Sequence, residues 1–94
     1  MKRKRMPTQP GEILREEFLI PMAITQKKLA DHIGVDIKVI NRLVNGRTSV
    51  SPELAVKLAA TFGTSPDLWL NAQRAVDLYI ANKEIKKLPK QLSA

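Results

Sequence analysis

The sequence predicts an all-α fold, a five-helix bundle, on the strength of three observations. Apolar residues recur at the spacing of amphipathic helices, helix-start signals such as Ser51-Pro52-Glu53 recur along the chain, and no segment shows the alternation typical of a strand. No internal repeat is present. The helices are predicted over residues 10–20, 25–33, 36–44, 52–62 and 66–83.

These helices form one predicted domain over residues 10–83, flanked by two basic segments. Residues 1–9 are expected to be a disordered arm, because the four basic residues at positions 2–5 are followed by no apolar periodicity. The arm is either a solvated tail or a segment that tracks phosphates or enters a minor groove. Residues 84–94 form a basic tail that Pro89 interrupts.

Residues 25–47 have the pattern of a helix-turn-helix. Thr25 and Asp36 are suitable N-caps for its two helices. Ala30 places a methyl group where two helices that meet at a steep angle must approach closely, and Gly34 suits the left-handed residue at the corner. At ~1.5 Å per residue the second helix would be roughly 13 Å long, which matches a major groove about 12 Å wide.

The second helix is expected to read DNA with the face opposite Ile40 and Leu43, which turn inward. Basic side chains there suit guanine acceptors, and apolar ones suit a thymine methyl. The residues expected at base edges are Ile37, Lys38, Val39 and Arg42. The residues expected to hold the phosphate backbone are Gln26, Lys27, Asn41, Asn45 and Arg47. The alternative for this cluster is a helix pair that serves only protein packing.

The fifth helix has more apolar residues than one face can hold. One stripe that includes Trp69 and Val76 can close the core. The apolar positions left over are Leu70, Ala75, Leu78 and Ile80. A monomer seldom exposes such a patch, so these residues predict the interface of a homodimer.

Composition narrows the possible functions. A net charge of +7 over 94 residues favours a polyanionic partner, and no apolar run approaches the ~18 residues of a membrane span, so nucleic acid is favoured over membrane. The absence of cysteine excludes disulfides, thiolate zinc sites and thiol catalysis, and it suits the cytoplasm. His32 is the single histidine and has no companion ligands, so no metal or cofactor is expected. Without a phosphate loop or a nucleophile–base pair, an enzyme is not expected.

The motif resembles the helix-turn-helix domains of the phage-repressor class, also called the XRE family. The matching residues, in order and spacing, are Gln26, Leu29, Ala30, Gly34, Ile40, Leu43, Asn45 and Gly46. Within that class the chain resembles the HigA antitoxins over about residues 9 to 80. The segments that carry this resemblance are Gln9-Pro10-Gly11-Glu12-Ile13-Leu14, Glu16-Glu17-Phe18-Leu19, Phe62-Gly63-Thr64-Ser65 and Trp69-Leu70-Asn71.

The resemblance implies a second activity beside DNA binding. HigA antitoxins bind and suppress a small basic toxin, a ribosome-dependent messenger-RNA endonuclease, and they repress their own operon. The expected partners are therefore double-stranded operator DNA, a second copy of the chain and a toxin, with no membrane. Two alternatives stay open: a solitary transcriptional regulator without a toxin, and a toxin-binding module that does not bind DNA.

Overall fold

The computed structural model describes residues 5–93, which fold into five helical segments without a strand. The predicted fold class is confirmed. No helix among these residues is long and apolar enough to cross a bilayer. The segments are α1 (Pro10–Ile13, continued as a π-helix over Leu14–Leu19), α2 (Gln26–Ile33), α3 (Ile37–Val44), α4 (Pro52–Phe62) and α5 (Pro66–Glu84).

Side-chain caps define where α2 to α5 begin. In each case a side-chain oxygen accepts a hydrogen bond from a backbone N–H of the first turn, and a cap of this kind stabilises by about 0.5–2 kcal/mol relative to alanine. The caps are Thr25 at 3.0 Å, Asp36 at 2.8 Å, Ser51 at 3.1 Å and Ser65 at 3.2 Å. Because these caps are readable in the sequence, the predicted and observed bounds of the four helices agree to within a single residue.

The first helix differs from the prediction in its geometry. The sequence predicts one α-helix over residues 10–20, but only Pro10–Ile13 is α-helical. Leu14–Leu19 is a π-helix whose last turn closes with Ile20 N–H donating to Arg15 O at 3.0 Å. In an α-helix, residues five apart lie about 140° from each other, so Leu14 and Leu19 could not share one face. The wider π turn brings residues five apart onto the same side. Both leucines are consequently buried.

The core is centred on Trp69, which is fully buried in the first half of α5. The ring of Phe18 packs against both Phe62 and Trp69, with centroids 4.7 Å and 5.6 Å apart. The Trp69 indole Nε1–H donates to Thr64 Oγ1 at 2.9 Å, so the burial of the indole leaves no unpaired donor. The first, fourth and fifth helices thus close around one aromatic cluster.

The first helix also lies directly on the end of α3, and Gly11 permits this approach. A Cβ at Gly11 would overlap the backbone carbonyl of Leu43 and come within 2.9 Å of the Cα of Val44. Only a residue without a side chain therefore allows the two backbones to meet here. This contact fixes the position of α3, the second helix of the predicted motif.

The two predicted flanking segments fall partly outside the described residues. Residues 1–4 of the predicted basic arm are not among them, whereas residues 5–9 run without helix or strand. Arg5 and Pro7 line a groove on α5 together with Ala75 and Leu78. At the other end, α5 stops at Glu84, and residues 85–93 are exposed and form no helix.

Candidate nucleic-acid interface

The corner between α2 and α3 has the tight geometry that the sequence predicts. Gly34 has φ +75°, and its N–H and the N–H of Val35 both donate to Ala30 O, at 2.9 Å and 3.0 Å. Ala30 is buried, and α2 packs against α3. The two helices therefore form one rigid unit whose orientation is set by the corner and by the small side chain beneath it.

The exposed face of α3 is basic at its centre. Ile40 and Leu43 are fully buried on the inner face of α3. On the opposite, solvent-facing side, Lys38 and Arg42 are exposed and lie one turn apart. Two of the predicted base-contact residues, Ile37 and Val39, are also exposed, at the edges of this face. All four predicted base-contact residues thus lie on the solvent side of α3.

Val39 lies on the edge of this face that is nearer α4. It lines a crevice with Thr48, Ser49 and the first turn of α4. Ile37 lies on the other edge, on the side of Asn41, because residues four apart on a helix are neighbours. The two apolar candidates therefore flank the basic pair from opposite sides.

A chain of side-chain amides connects α2 to α3. Asn41 Nδ2 donates to Gln26 Oε1 at 3.2 Å, and Asn45 Nδ2 donates to Asn41 O at 2.9 Å. All three residues are among the predicted phosphate-backbone contacts, and the structure brings them together along one edge of the helix pair. Because Gln26 uses its oxygen in this chain, its Nε2 group remains a donor toward solvent at the first turn of α2.

The two other predicted backbone contacts have different surroundings. Lys27 forms an exposed ion pair with Asp31 at 3.1 Å, a pair of the i,i+4 kind that contributes little to stability. Arg47 follows the end of α3, and its backbone N–H donates to Arg42 O at 2.8 Å, while its side chain is exposed. Arg47 thus adds an exposed cation directly after the end of α3.

The loop over residues 47–50 is fastened at both ends. At its start, Gly46 has φ +70° and the side chain of Gln9 packs against it, so that a Cβ there would overlap Gln9 Oε1. At its end, Val50 is buried, and its N–H donates to Gln73 Oε1 on α5 at 3.0 Å. Neither Gln9 nor Gln73 is among the site residues that the sequence predicts, because each contacts a residue far away in the chain.

The predicted dimer residues do not share one surface. Leu78 is 52% exposed, and it lies with Ala75 in the groove beside Arg5 and Pro7. Leu70 is half-buried and packs against the core beside Trp69. Most of its side chain is therefore not available for contact with a second copy of the chain. Ile80, 39% exposed, lies on a different stripe of α5 and faces the crevice beside Arg47.

Among residues 5–93, no group of His, Cys, Asp and Glu side chains has the arrangement of a metal site. The charged side chains around α3 are solvent-exposed, with Asp36 serving as a helix cap and Asp31 paired with Lys27. Beside the apolar Ile37 and Val39 and the hydroxyls of Thr48 and Ser49, the groups facing outward along α3 and the following loop are therefore cations and amide donors. This combination suits a phosphate backbone and base edges.

A capped helix pair with a tight corner and an exposed basic face on its second helix defines the helix-turn-helix class of DNA-binding proteins. The helix-turn-helix family profile matches residues 14–69. Antitoxin HigA-1 of Vibrio cholerae is 49% identical over 78 residues, which are 83% of this chain and 73% of the relative. The chain belongs to the HigA-type antitoxins of the helix-turn-helix family.

Two solved structures are similar over nearly their whole length. Antitoxin GraA in complex with its operator has a TM-score of 0.85 and 34% sequence identity, and the match covers 99% of both chains. The antitoxin HigA of Pseudomonas aeruginosa, solved with the higBA promoter, has a TM-score of 0.76 and 35% identity over 88% of this chain and 99% of its own. The fold of this chain is therefore one on which other antitoxins bind DNA.

Proposed function

We propose that the chain is a sequence-specific DNA-binding repressor and an antitoxin, which neutralises a cognate messenger-RNA endonuclease toxin and represses its own operon. The observation that carries the DNA-binding part is the solvent face of α3, where Lys38 and Arg42 stand one turn apart. The relatives solved with operator or promoter DNA support it, because their fold is the same. Binding to an operator requires access to the chromosome, so we place the chain in the bacterial cytoplasm.

In the proposed complex, α3 lies in the major groove. Its eight residues span about 12 Å, which is the width of that groove. Lys38 and Arg42 donate to the O6 and N7 acceptors of guanine, and Ile37 or Val39 packs on a thymine methyl from the edge of the helix. Each good base contact contributes about 1–3 kcal/mol of discrimination against the wrong base.

The amide chain and the following loop would fix the docking register. Gln26 Nε2, Asn41 and Asn45 lie along one edge of the helix pair, and Arg47 lies beyond the end of α3. Contacts of this kind carry no sequence information themselves, but they hold the recognition helix at one depth and angle. Lys27 adds a positive charge at the first turn of α2, where it would leave its ion pair with Asp31 to bind a DNA phosphate.

Sequence-specific binding of a helix-turn-helix usually requires two copies, because dimers place their recognition helices about 34–36 Å apart in successive major grooves. We propose a homodimer in which the groove of Ala75 and Leu78 forms the contact. The toxin is a further proposed partner, supported by family membership. A solitary regulator without a toxin and a toxin-binding module without DNA binding are the two competing functions.

The experiment that tests the DNA-binding proposal compares single alanine variants of Lys38 and Arg42 on DNA from immediately upstream of the chain's own operon. Arg42→Ala and Lys38→Ala are each expected to lower operator affinity by about 1–3 kcal/mol, or roughly 5- to 150-fold. Arg15→Ala, which removes an exposed arginine from the first helix, outside the proposed recognition and dimer surfaces, is the matched control and should bind normally. Fluorescence anisotropy measures the operator affinity of all three variants at one fixed salt concentration, because affinity for DNA depends strongly on salt.

Three outcomes would contradict parts of the proposal. An equal loss of affinity for operator and random DNA would make Lys38 and Arg42 phosphate contacts instead of base contacts. Wild-type affinity with both residues changed would contradict the placement of α3 in the groove. Elution of the wild-type chain from heparin at low salt without retention would favour the toxin-binding module without DNA binding.

A further inference from the structure

A single side chain of α5 holds the loop that follows the recognition helix. Gln73 Oε1 accepts the N–H of Val50 at 3.0 Å, and Gln73 Nε2 donates to Asp77 Oδ1 at 3.0 Å. The Asp77 carboxylate therefore orients the Gln73 amide, so that the amide oxygen faces the loop. The bond joins residues 23 positions apart.

The surroundings explain why this bond constrains the loop. The side chain of Val50 is buried, so the loop is anchored in the core at the same residue whose N–H is held. Residues 47–49, just before it, are exposed. Gln73 and Asp77 line one crevice with Arg47 and Ser49, so α5 forms the wall against which the exposed part of the loop lies.

We infer that Gln73 is a positioning residue for DNA binding. By holding Val50, it keeps the loop over residues 47–50 in the position from which Arg47 contacts a DNA phosphate. This inference rests on the proposed DNA binding. Gln73 itself does not touch DNA in this arrangement, because its side chain points to the inner side of the loop and both of its polar groups are engaged within the protein.

The bond itself is tested without DNA by hydrogen exchange at the amide of Val50. Gln73→Leu removes both polar groups at similar size, and it should accelerate exchange at Val50 while leaving the amides of the aromatic core, such as that of Trp69, protected. Unchanged exchange at Val50 would overturn the inference, because the bond would then not constrain the loop.

The effect on binding is tested with the same variant. Gln73→Leu should lower affinity for operator and for random DNA by a similar factor, about fivefold to tenfold, and should reduce the slope of log K against log salt by about 0.9, the value for one phosphate contact. A double-mutant cycle with Arg47→Ala should show that the combined loss is smaller than the product of the single losses. Multiplicative losses would overturn the inference, because general destabilisation would then explain the effect of Gln73→Leu.

An exchange of the amide and the carboxylate between Gln73 and Asp77 provides a variant that keeps the hydrogen bonds. Gln73→Glu alone retains the acceptor for Val50 but places two carboxylates together, so binding should weaken. The pair Gln73→Glu with Asp77→Asn restores a donor opposite an acceptor and should recover wild-type affinity and salt slope. Failure of this pair to recover what Gln73→Glu loses would overturn the inference.

A wild-type chain that binds no DNA would overturn the proposed function and this inference with it, whereas equal binding by wild type and Gln73→Leu would overturn the inference alone.

Discussion

Replacement of Leu78 by glutamate is expected to separate the proposed homodimer into folded monomers. Leu78 is 52% exposed in the single chain, and full burial of a leucine side chain is worth about 1.5–3 kcal/mol. Burial of the exposed half against a partner would therefore contribute about 0.8–1.6 kcal/mol per protomer. Two-fold symmetry places the side chain in the interface twice, so the loss is about 1.6–3.2 kcal/mol before any cost of burying charge.

This loss corresponds to a dimer dissociation constant that rises roughly 15- to 200-fold. Sedimentation velocity at micromolar concentration should show a monomer for Leu78→Glu and a dimer for wild type. Operator affinity should fall steeply in the same variant, although no DNA-facing residue has changed, because a monomer places only one recognition helix on a palindrome.

Val56 provides the matched control. It is 56% exposed on α4, which gives it nearly the same exposure as Leu78 on a surface outside the proposed interface. Val56→Glu should therefore remain dimeric and bind the operator normally. A monomeric wild type, or a Leu78→Glu variant that stays dimeric with normal affinity, would refute the reasoning, and the groove of Ala75 and Leu78 would then be better explained as a docking site for the toxin.

Two further predictions concern packing around α3. Ala30→Leu should destabilise the domain by about 1–3 kcal/mol, because the added atoms enter the buried contact between α2 and α3, and Ala60→Leu on the exposed face of α4 is the control. A melting curve unchanged by Ala30→Leu would contradict the close helix crossing. Gly11→Ala should also lower the melting temperature, because its Cβ overlaps Leu43 O, although the same change at an open site stabilises by about 0.4–1 kcal/mol. A raised melting temperature would show that α1 and α3 are not in backbone contact.

The helices could be predicted from the sequence because their limits depend on local chemistry. Thr25, Asp36, Ser51 and Ser65 each cap a helix within three residues of their own position. The outward direction of Lys38 likewise follows from the helical period and from two buried neighbours. These features need no knowledge of the rest of the fold.

The features that could not be predicted depend on contacts between distant residues. The bonds from Asn41 to Gln26 and from Val50 to Gln73 join positions 15 and 23 residues apart, and no local pattern indicates such pairs. The π-helix cannot be predicted for a related reason: the burial of Leu14 together with Leu19 is imposed by the core, whereas the sequence of the segment fits an ordinary α-helix equally well.

The faces of α5 show why its surplus of apolar residues was only partly understood from the sequence. Gln73, Asp77 and Ile80 recur at intervals of four and three, so they share one stripe, which lines the crevice of the DNA-side loop. Ala75 and Leu78 share another, in the groove near Arg5. Trp69 and Val76 are buried directly beside the first stripe, and Val76 also lines its crevice. One helix therefore closes the core, holds the loop over residues 47–50 and offers an apolar surface. In a dimer formed through Leu78, the partner would also hold α5 in place, and the loop of each protomer is hydrogen-bonded to that helix.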